Sequence, residues 1–400
     1  MKLSLWKRII AAAVLAAVLL PGASCATAQT QENAGTKTVS APASAEPAAQ
    51  KKVRTGFYIE LGSRSCGVLF WARLLAYSPQ LEFVLIDAKD VMDGKLKGLD
   101  LLVVPGGSSN QQCARLKPEG MEIVRQFVAD GGSYVGACAG FHCTLNRPER
   151  LRLLPFEYMT GAGGNLAPLA VDISEKGAKL MGIRKGRYMA RYSHGPIARP
   201  GKQPGEGWGE VLGVYKSTVG PVGKPGGNFF GAPAVIHGQF GKGKVIATSF
   251  HPESYESTHC IALGEVYAVT GVRPTPVYPK KSCRRIRVGY YAPAIVGKYP
   301  IKAMLALDRH PDIDVQFVDG QALNEGILSH LDVFVLPHGT GSSYQKLMAD
   351  KFRQKQFRTF ADRGGVILAS GNAGEPLFEH KNVKRLPADA CFVKPVLEVR

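Results

Sequence analysis

The amino-terminal half of the chain alternates short apolar runs with amphipathic segments. Between Gly67 and Tyr77 the apolar residues fall on one side of a helix, and Pro118 stands where a helix would make its first turn. The pattern predicts strands at 53–59, 83–86, 99–104 and 133–136, and helices at 67–77, at 118–130 and after 138. Strands that alternate with helices indicate a parallel sheet covered by helices on both faces.

From about residue 155 to residue 250 glycine and proline become frequent and short strands dominate the pattern. The predicted strands are 166–173, 188–192, 211–215, 234–240 and 245–250, and a closing helix is expected at 261–269. Together with the preceding segment they predict one α/β domain that spans residues 53–275.

An internal repeat follows this domain. The segments 83–107 and 315–339 both carry a strand that ends in aspartate, then Leu-Asp, a second apolar run and a turn of Pro-Gly-Gly or Pro-His-Gly. We therefore expect residues 284–400 to form a degenerate, partial second copy of the α/β unit. Gly371 stands where Cys138 stands in the first copy, so the second copy is predicted to have a structural or binding role.

The first residues have the pattern of an export signal. Three basic residues precede an apolar run at 9–20, and Ala26-Thr27-Ala28 matches a cleavage site. We expect a signal peptide at 1–28, a flexible linker rich in Ala, Thr, Ser and Pro at 29–52, and a periplasmic or secreted protein. Lipoprotein anchoring through Cys25 is the alternative.

Charge and cysteine content add two expectations. Fifty Lys and Arg residues against 32 Asp and Glu give a formal net charge of +18, and these residues are scattered rather than striped. This favours solubility over nucleic-acid binding and leaves peripheral contact with an anionic membrane surface open. Apart from Cys25 the chain has seven cysteines, so at least one thiol should stay unpaired within the chain in an oxidising compartment.

A cysteine motif follows the predicted strand at 133–136. Residues 136–140 read Gly-Ala-Cys-Ala-Gly, the form of a nucleophile elbow with Cys138 at its centre. In such a turn only small neighbours avoid clashes, and the thiol faces the positive end of the next helix, which favours the thiolate. Taken alone, the motif fits a buried structural cysteine better than a nucleophile.

Two further motifs end other predicted strands. His251 and Glu253 follow the strand at 245–250, and the carboxyl ends of parallel strands meet at one edge of a sheet. Glu253 could therefore orient a His251 imidazole that lies near the cysteine. Gly106 and Gly107 end another strand on the same edge and could offer backbone N–H groups to an oxyanion. Each motif by itself also fits a plain turn.

In this order the three motifs resemble the class I glutamine amidotransferase superfamily. Within it the chain is most similar to the amino-terminal domain of some biotin–protein ligases, which also occurs as stand-alone bacterial proteins. The resemblance covers about residues 53–272 and rests on the segments 102–109, 131–140, 161–164, 192–196 and 241–245. It implies a flavodoxin-like three-layer α/β sandwich with a mostly parallel sheet.

The resemblance also implies roles. Cys138 would be the nucleophile, His251 the general base and Glu253 its orienting carboxylate, with oxyanion N–H groups from Gly107 and Ala139. The reaction implied is attack on an amide, a thioester intermediate and hydrolysis. The residues expected to bind substrate are Gly106, Ser108, Arg191, Tyr192 and His194. A structural histidine in a Gly-Pro turn is an equal interpretation of His194.

Some features of the superfamily are not found in the sequence. No synthase partner is evident, and no biotinyl-adenylate loop is present, so biotin ligation is not expected. No Cys and His pairs have metal-ligand spacing, and no cofactor is implied. The expected substrate is a small-molecule amide or peptide.

Three functions compete at this point. An exported cysteine hydrolase would use the intact triad. A non-catalytic ligand-binding protein would keep the fold without the chemistry, as the second copy is expected to do. A surface-associated structural protein would use the net positive charge on anionic lipid or polymer.

Overall fold

The computed structural model describes residues 51–63, 65–161, 165–201, 208–217, 230–370, 373, 383–385 and 396–399. The predicted signal peptide, the lipidation alternative at Cys25 and most of the predicted linker lie outside these residues. No helix of the described part has the length and hydropathy to cross a membrane.

Nine strands form the first sheet in the order β2-β1-β3-β4-β11-β10-β9-β6-β7. The first five of these strands run parallel, and the strands beyond β11 are antiparallel. The strands are β1 Val53–Tyr58, β2 Leu81–Ile86, β3 Leu101–Val104, β4 Ser133–Ala137, β6 Asn165–Ile173, β7 Gly186–Ser193, β9 Trp208–Tyr215, β10 Pro233–Phe240 and β11 Gly243–Thr248. A separate ribbon pairs β5 Phe156–Gly161 with β8 Pro196–Pro200.

Helices cover both faces of this sheet and give three layers. On one face, α1 Cys66–Ala76, α5 Glu175–Met181 and α6 His259–Thr270 bury their apolar residues. On the other face lie α2 Ala88–Met92, α3 Ser109–Ala129 and α4 Ala139–Thr144. Neighbouring residues of β1 supply both cores, since Phe57 faces the first and Tyr58 the second. The predicted α/β fold is thus confirmed, with a parallel core extended by antiparallel strands.

The helix predicted at 118–130 begins earlier than expected. Its helical path starts at Ser109 and is interrupted at Lys117, where φ is 58°. Pro118 then opens the second segment, in keeping with the fixed φ of proline and its missing N–H. The first segment was missed because it is mostly polar and shows little apolar periodicity. The ribbon of β5 and β8 and the short α5 were not predicted either.

The second sheet repeats the strand order of the first. Its order is β13-β12-β14-β15-β17-β16, and the first four strands run parallel, as β2-β1-β3-β4 do. The strands are β12 Ile286–Tyr291, β13 Ile313–Val318, β14 Val333–Leu336, β15 Val366–Ser370, β16 Val383–Arg385 and β17 Val396–Val399. The helices are α7 Lys298–Arg309, α8 Gly320–Asn324, α9 Gly341–Ala349 and α10 Lys351–Asp362.

The two α/β units meet through α1 of the first and α7 and β13 of the second. Arg73 donates two hydrogen bonds to the carboxylate of buried Asp308, at 2.8 and 2.9 Å, and Tyr77 donates a third at 2.9 Å. The ring of Phe70 packs edge-on against that of Phe317, with centroids 4.9 Å apart. Because apolar and ionic contacts coincide on one helix, α1 is the main joint between the units.

A second ionic contact lies farther along the same seam. Lys298, at the start of α7, pairs with Asp90 and with Asp87, the latter at 2.6 Å. Burial alone would raise the pKa of Asp90, but hydrogen bonds from Lys298 and Lys95 lower it to about 2. Asp90 therefore stays charged at neutral pH and holds the second unit through an ion pair.

Candidate active site

Cys138 lies between β4 and α4, at the carboxyl end of the parallel strands. Its φ of 51° is in the left-handed region, and its N–H donates to the carbonyl of Thr248 at 2.8 Å. A Cβ at Gly140 would lie 2.1 Å from the carbonyl oxygen of Val104, and one at Gly136 would lie 2.6 Å from the Gly140 backbone. The small residues around the cysteine are therefore required by backbone contacts in the turn.

His251 and Glu253 follow β11 on the same edge of the sheet. The Nδ1 atom of His251 lies 2.9 Å from Oε1 of Glu253, and both side chains are buried. The His251 N–H donates to the carbonyl of Arg191 at 2.9 Å, which ties this turn to β7. The Glu253 carboxylate thus orients the imidazole, and the backbone hydrogen bond to Arg191 fixes the position of His251.

The sulfur of Cys138 and the imidazole of His251 interact. Burial alone would lower the pKa of His251, but its interactions with Cys138 and Glu253 outweigh burial and raise this pKa well above its usual range. A charged imidazolium is therefore favoured beside the sulfur. The sulfur also lies 3.6 Å from the carbonyl oxygen of Ser193.

Two glycines make room for these side chains. A Cβ at Gly67, in the first turn of α1, would lie 2.2 Å from Oε1 of Glu253. A Cβ at Gly106 would lie 2.6 Å from Cε1 of His251 and 3.3 Å from Cβ of Cys138. The close approach of Gly106 shows that the predicted Pro-Gly-Gly turn borders both the histidine and the cysteine.

The predicted oxyanion donors follow two different strands, Ala139 after β4 and Gly107 after β3. Ala139 is the first residue of α4, so its N–H cannot pair within the helix. Gly107 has a φ of 140° and bridges to Ser63. Ser108, predicted to bind substrate, instead donates its N–H to the carbonyl of Gly62 at 2.8 Å and precedes α3.

A cavity of about 330 Å³ opens beside His251. Its walls carry an ion pair between the two units, because Nη2 of Arg191 lies 3.5 Å from Oδ2 of Asp319 in the second unit. The lining residues are Ser65, Cys66, Gly67, Arg191, Ser193, His251, Ser254, Pro293, Asp319, Gly320 and Gln321. Burial raises the pKa of the Cys66 thiol to about 12, so this second cysteine is a poor nucleophile at neutral pH.

The two predicted substrate-binding residues on β7, Arg191 and Tyr192, lie on opposite sides of the strand. Arg191 and Ser193 line the cavity, whereas Tyr192 points to the opposite side, is fully buried and donates to the carbonyl of Gly195. Neighbouring strand residues face opposite ways, so Arg191 and Tyr192 could not share a pocket. His194 is exposed at a φ of 55°, with Nδ1 3.3 Å from Oγ of Ser193, and does not line the cavity.

Sequence reasoning missed the contribution of the second unit. Asp319 accepts a hydrogen bond from the N–H of Ala322 as the N-cap of α8, just as Asp87 caps α2 in the first unit. The repeat contained this signal, because both aspartates end the second strand of their copy. What it could not show is that the Asp319 carboxylate also reaches the first unit.

The remaining cysteines form no disulfide among the described residues. Six thiols are free there, at positions 66, 113, 138, 143, 260 and 283. The sulfurs of Cys113 and Cys143 are in contact at 3.4 Å, on α3 and α4. Cys138 is thus unpaired, in keeping with the expectation that at least one thiol of the chain stays unpaired.

No group of three or more His, Cys, Asp or Glu side chains in the described ranges could hold a metal ion. A larger open depression of about 900 Å³ lies at the opposite edge of the sheet, beside the starts of β1 and β4. Its lining includes Lys51, Lys97 and Asp130 but none of the triad residues. The small cavity is the one that adjoins His251.

Comparisons with known proteins find a likeness that includes the segment around Cys138. The family model described as "Biotin-protein ligase, N terminal" matches residues 91–147, which include Cys138. The chain is 30% identical over 174 residues to the phosphoribosylformylglycinamidine synthase subunit PurQ of Rhodopseudomonas palustris, covering 40% of this chain and 72% of that protein.

Two solved structures are also similar to the chain. A ThuA-like protein from Bacteroides uniformis is 14% identical, with a TM-score of 0.43, over 59% of this chain and 99% of its own. PurLQS from Thermotoga maritima is 14% identical, with a TM-score of 0.40, over 54% of this chain and 98% of its own.

Proposed function

The chain belongs to the class I glutamine amidotransferase-like superfamily, and from this premise we propose that it is an exported cysteine hydrolase of a small amide or peptide. The observation that carries the proposal is the junction of Cys138, His251 and Glu253 at one sheet edge. A buried His–Glu pair beside a cysteine at a strand-to-helix turn is the arrangement that nucleophilic catalysis requires.

In the first half of the reaction the Cys138 sulfur attacks the amide carbon. The carbonyl becomes an oxyanion, and we assign its binding to the N–H groups of Ala139 and Gly107. The His251 imidazolium then gives its proton to the leaving nitrogen as the carbon–nitrogen bond breaks. An amine or ammonia departs, and a thioester on Cys138 remains.

The second half regenerates the enzyme. Neutral His251 takes a proton from a water molecule as the water oxygen attacks the thioester carbon. The carbon–sulfur bond breaks, the acid leaves, and the thiolate again faces an imidazolium. Glu253 supports both halves because its carboxylate fixes the imidazole through Nδ1 and stabilises the positive charge.

The size and walls of the cavity support a small substrate. About 330 Å³ lies near the lower end for ligand sites, and the walls offer hydroxyls and backbone groups beside Arg191. We assign Arg191 and the Gly106 turn to substrate positioning, whereas Tyr192 acts as packing for β7.

Export is part of the proposal and rests on the sequence of residues 1–28. Expression of the full chain in a Gram-negative host should place the cleaved protein in the periplasm. Cys25→Ala separates the two processing routes: soluble protein in both forms supports simple cleavage, and membrane attachment lost only in the variant supports lipidation. Retention of uncleaved chain in the cytoplasm would contradict export.

A direct test of the chemistry is release of ammonia or amine from a panel of small amides and dipeptides. The unaltered chain should turn over at least one class, and intact-mass measurement should show an acyl adduct on Cys138. Cys138→Ala should lose both, while Cys283→Ser, a matched change at an exposed thiol that does not line the cavity, should keep both.

A non-catalytic binding protein is the second candidate, favoured by the deep burial of Cys138, which is only 4% exposed. Ligand binding without turnover, unchanged in Cys138→Ala, would support it and contradict the hydrolase.

A further inference from the structure

The second α/β unit forms one wall of the cavity beside His251. Pro293 comes from the loop after β12, while Asp319 is the N-cap of α8 and Gly320 and Gln321 are its first residues. The opposite walls are the start of α1 and the end of β7. The cavity therefore exists only where the two units meet.

Helix α1 holds the cavity wall that the second unit provides. Helix α1 contributes Cys66 and Gly67 to the cavity and, two turns on, donates from Arg73 to Asp308 of the second unit. Asp308 is buried, and α1 packs on α7. Because the same helix lines the cavity and carries the joint, the wall is a fixed part of the site.

The cavity contains one ion pair that joins the units. Arg191 is fixed at its carbonyl by the His251 N–H, and its guanidinium meets the Asp319 carboxylate at 3.5 Å. Asp319 is fixed in turn as the N-cap of α8. About a quarter of each side chain remains exposed, so both charges face the cavity.

We propose, on the basis of the hydrolase function given above, that Asp319 is a specificity-determining residue that neutralises Arg191 and makes the site select amides without net charge. The other ionic groups of the cavity do not alter this balance, since His251 is paired with buried Glu253. Without Asp319, Arg191 would be an unbalanced cation on the cavity wall and would attract anionic substrates. Without Arg191, Asp319 would attract cationic ones.

The expected size of the effect follows from Coulomb's law. One unbalanced charge about 6 Å from a charged reagent, at an effective dielectric constant of about 40, changes its rate by about tenfold. A charge pair that is intact leaves little preference for either sign.

Three alkylating reagents of similar size test the charge preference at Cys138 itself: neutral iodoacetamide, anionic iodoacetate and cationic 2-bromoethylamine. Labelling of the peptide that contains residues 126–150 is followed by tandem mass spectrometry, because Cys138 and Cys143 share it. Each rate is divided by that of N-acetylcysteine under the same conditions, which removes the intrinsic reactivity of the reagent.

The variants are Asp319→Asn, Arg191→Gln and a control, Asp332→Asn. Asparagine still caps a helix, so α8 should persist in the first variant. Asp332 pairs with Arg287 in the second unit and does not line the cavity. We expect Asp319→Asn to raise the iodoacetate-to-iodoacetamide ratio by about tenfold and Arg191→Gln to raise the 2-bromoethylamine ratio similarly, while the control matches the unaltered chain.

The proposal would be overturned if the reagent ratios of both variants stay within twofold of those of the unaltered chain. It would also be overturned if none of the three reagents labels Cys138, because the cavity would then not lead to the sulfur. His251→Ala separates this inference from the hydrolase. If that variant labels like the unaltered chain while the ratios still shift, the hydrolase falls and the charge selection stands. If it loses labelling but the ratios do not shift, the reverse holds.

Discussion

Replacing Glu253 by glutamine removes one charge and little else. The side chain is fully buried and meets His251 at 2.9 Å, while Gly67 packs directly against the same oxygen. Glutamine has nearly the same shape and can still accept a hydrogen bond from Nδ1. The variant therefore tests the electrostatic role of the carboxylate within an unchanged packing.

The magnitude follows from the separation of the charges. With about 4 Å between charge centres and an effective dielectric constant of about 20, the attraction is about 4 kcal/mol, or roughly a thousandfold in the population of imidazolium. The retained hydrogen bond offsets about 1 kcal/mol of this loss. We therefore expect the labelling of Cys138 by iodoacetamide at pH 6 to fall by about 100-fold.

The sign of the pH dependence comes from His251. Its raised pKa keeps the imidazolium charged above about pH 6.5, so labelling of the unaltered chain should extend into mildly acidic solution. In Glu253→Gln only Cys138 still opposes burial, so the pKa of His251 falls and less of the imidazole is charged at a given pH. The pH range of labelling should therefore move towards alkaline solution.

Glu265→Gln is a matched control. Glu265 is also fully buried, and burial raises its pKa well above the usual range, which favours the neutral acid. Glutamine then replaces a neutral acid, and the labelling profile should not move. The reasoning is refuted if Glu253→Gln slows labelling at pH 6 by less than threefold, or if both variants slow it equally.

Three further changes test the seam and the helix that lines the cavity. Lys298→Met should lower the free energy of unfolding in urea by about 1–3 kcal/mol at pH 7. Because the pKa of Asp90 is lowered to about 2, this difference should vanish as the pH falls from about 4 towards 2. A difference that does not depend on pH would contradict the pairing. Arg73→Met leaves Asp308 buried without its bidentate partner and should cost about 3–5 kcal/mol in the same assay, with a loss below 1 kcal/mol as the contrary result. Gly67→Ala should slow Cys138 labelling at least tenfold, because the added methyl group would displace the Glu253 carboxylate. Alanine favours the helix by about 1 kcal/mol, so the variant should still fold. Undiminished labelling in a folded variant would refute the close packing.

The parallel half of the fold could be predicted because its strands are buried on both faces. The run at Leu101–Val104 is apolar throughout, and such runs are typical of central parallel strands. The ribbon of β5 and β8 was missed because β5 mixes buried and half-exposed residues and β8 begins and ends with proline. Its pairing depends on tertiary contacts rather than on a local period.

The catalytic candidates were found for a related reason. Strand ends in a parallel sheet converge, so Cys138 and His251 could be placed together from their positions in the pattern alone. Asp319 could not be found in this way, because it lies more than one hundred positions from Arg191 and no periodicity specifies how two sheets dock. Tyr192 was misplaced because the strand alternation at β7 was not applied to its neighbour Arg191.

Helix α1 places a constraint on how this protein can change over generations. It packs Gly67 against the triad carboxylate at one end and Arg73 against the second unit at the other. A substitution on α7 that reshapes the joint would shift α1 and with it the carboxylate, without touching any residue of the triad. Residues of the second unit that contact α1 are therefore constrained as strictly as residues of the active site. Mutational scanning should find sensitive positions on the face of α7 that contacts α1 as well as around Cys138.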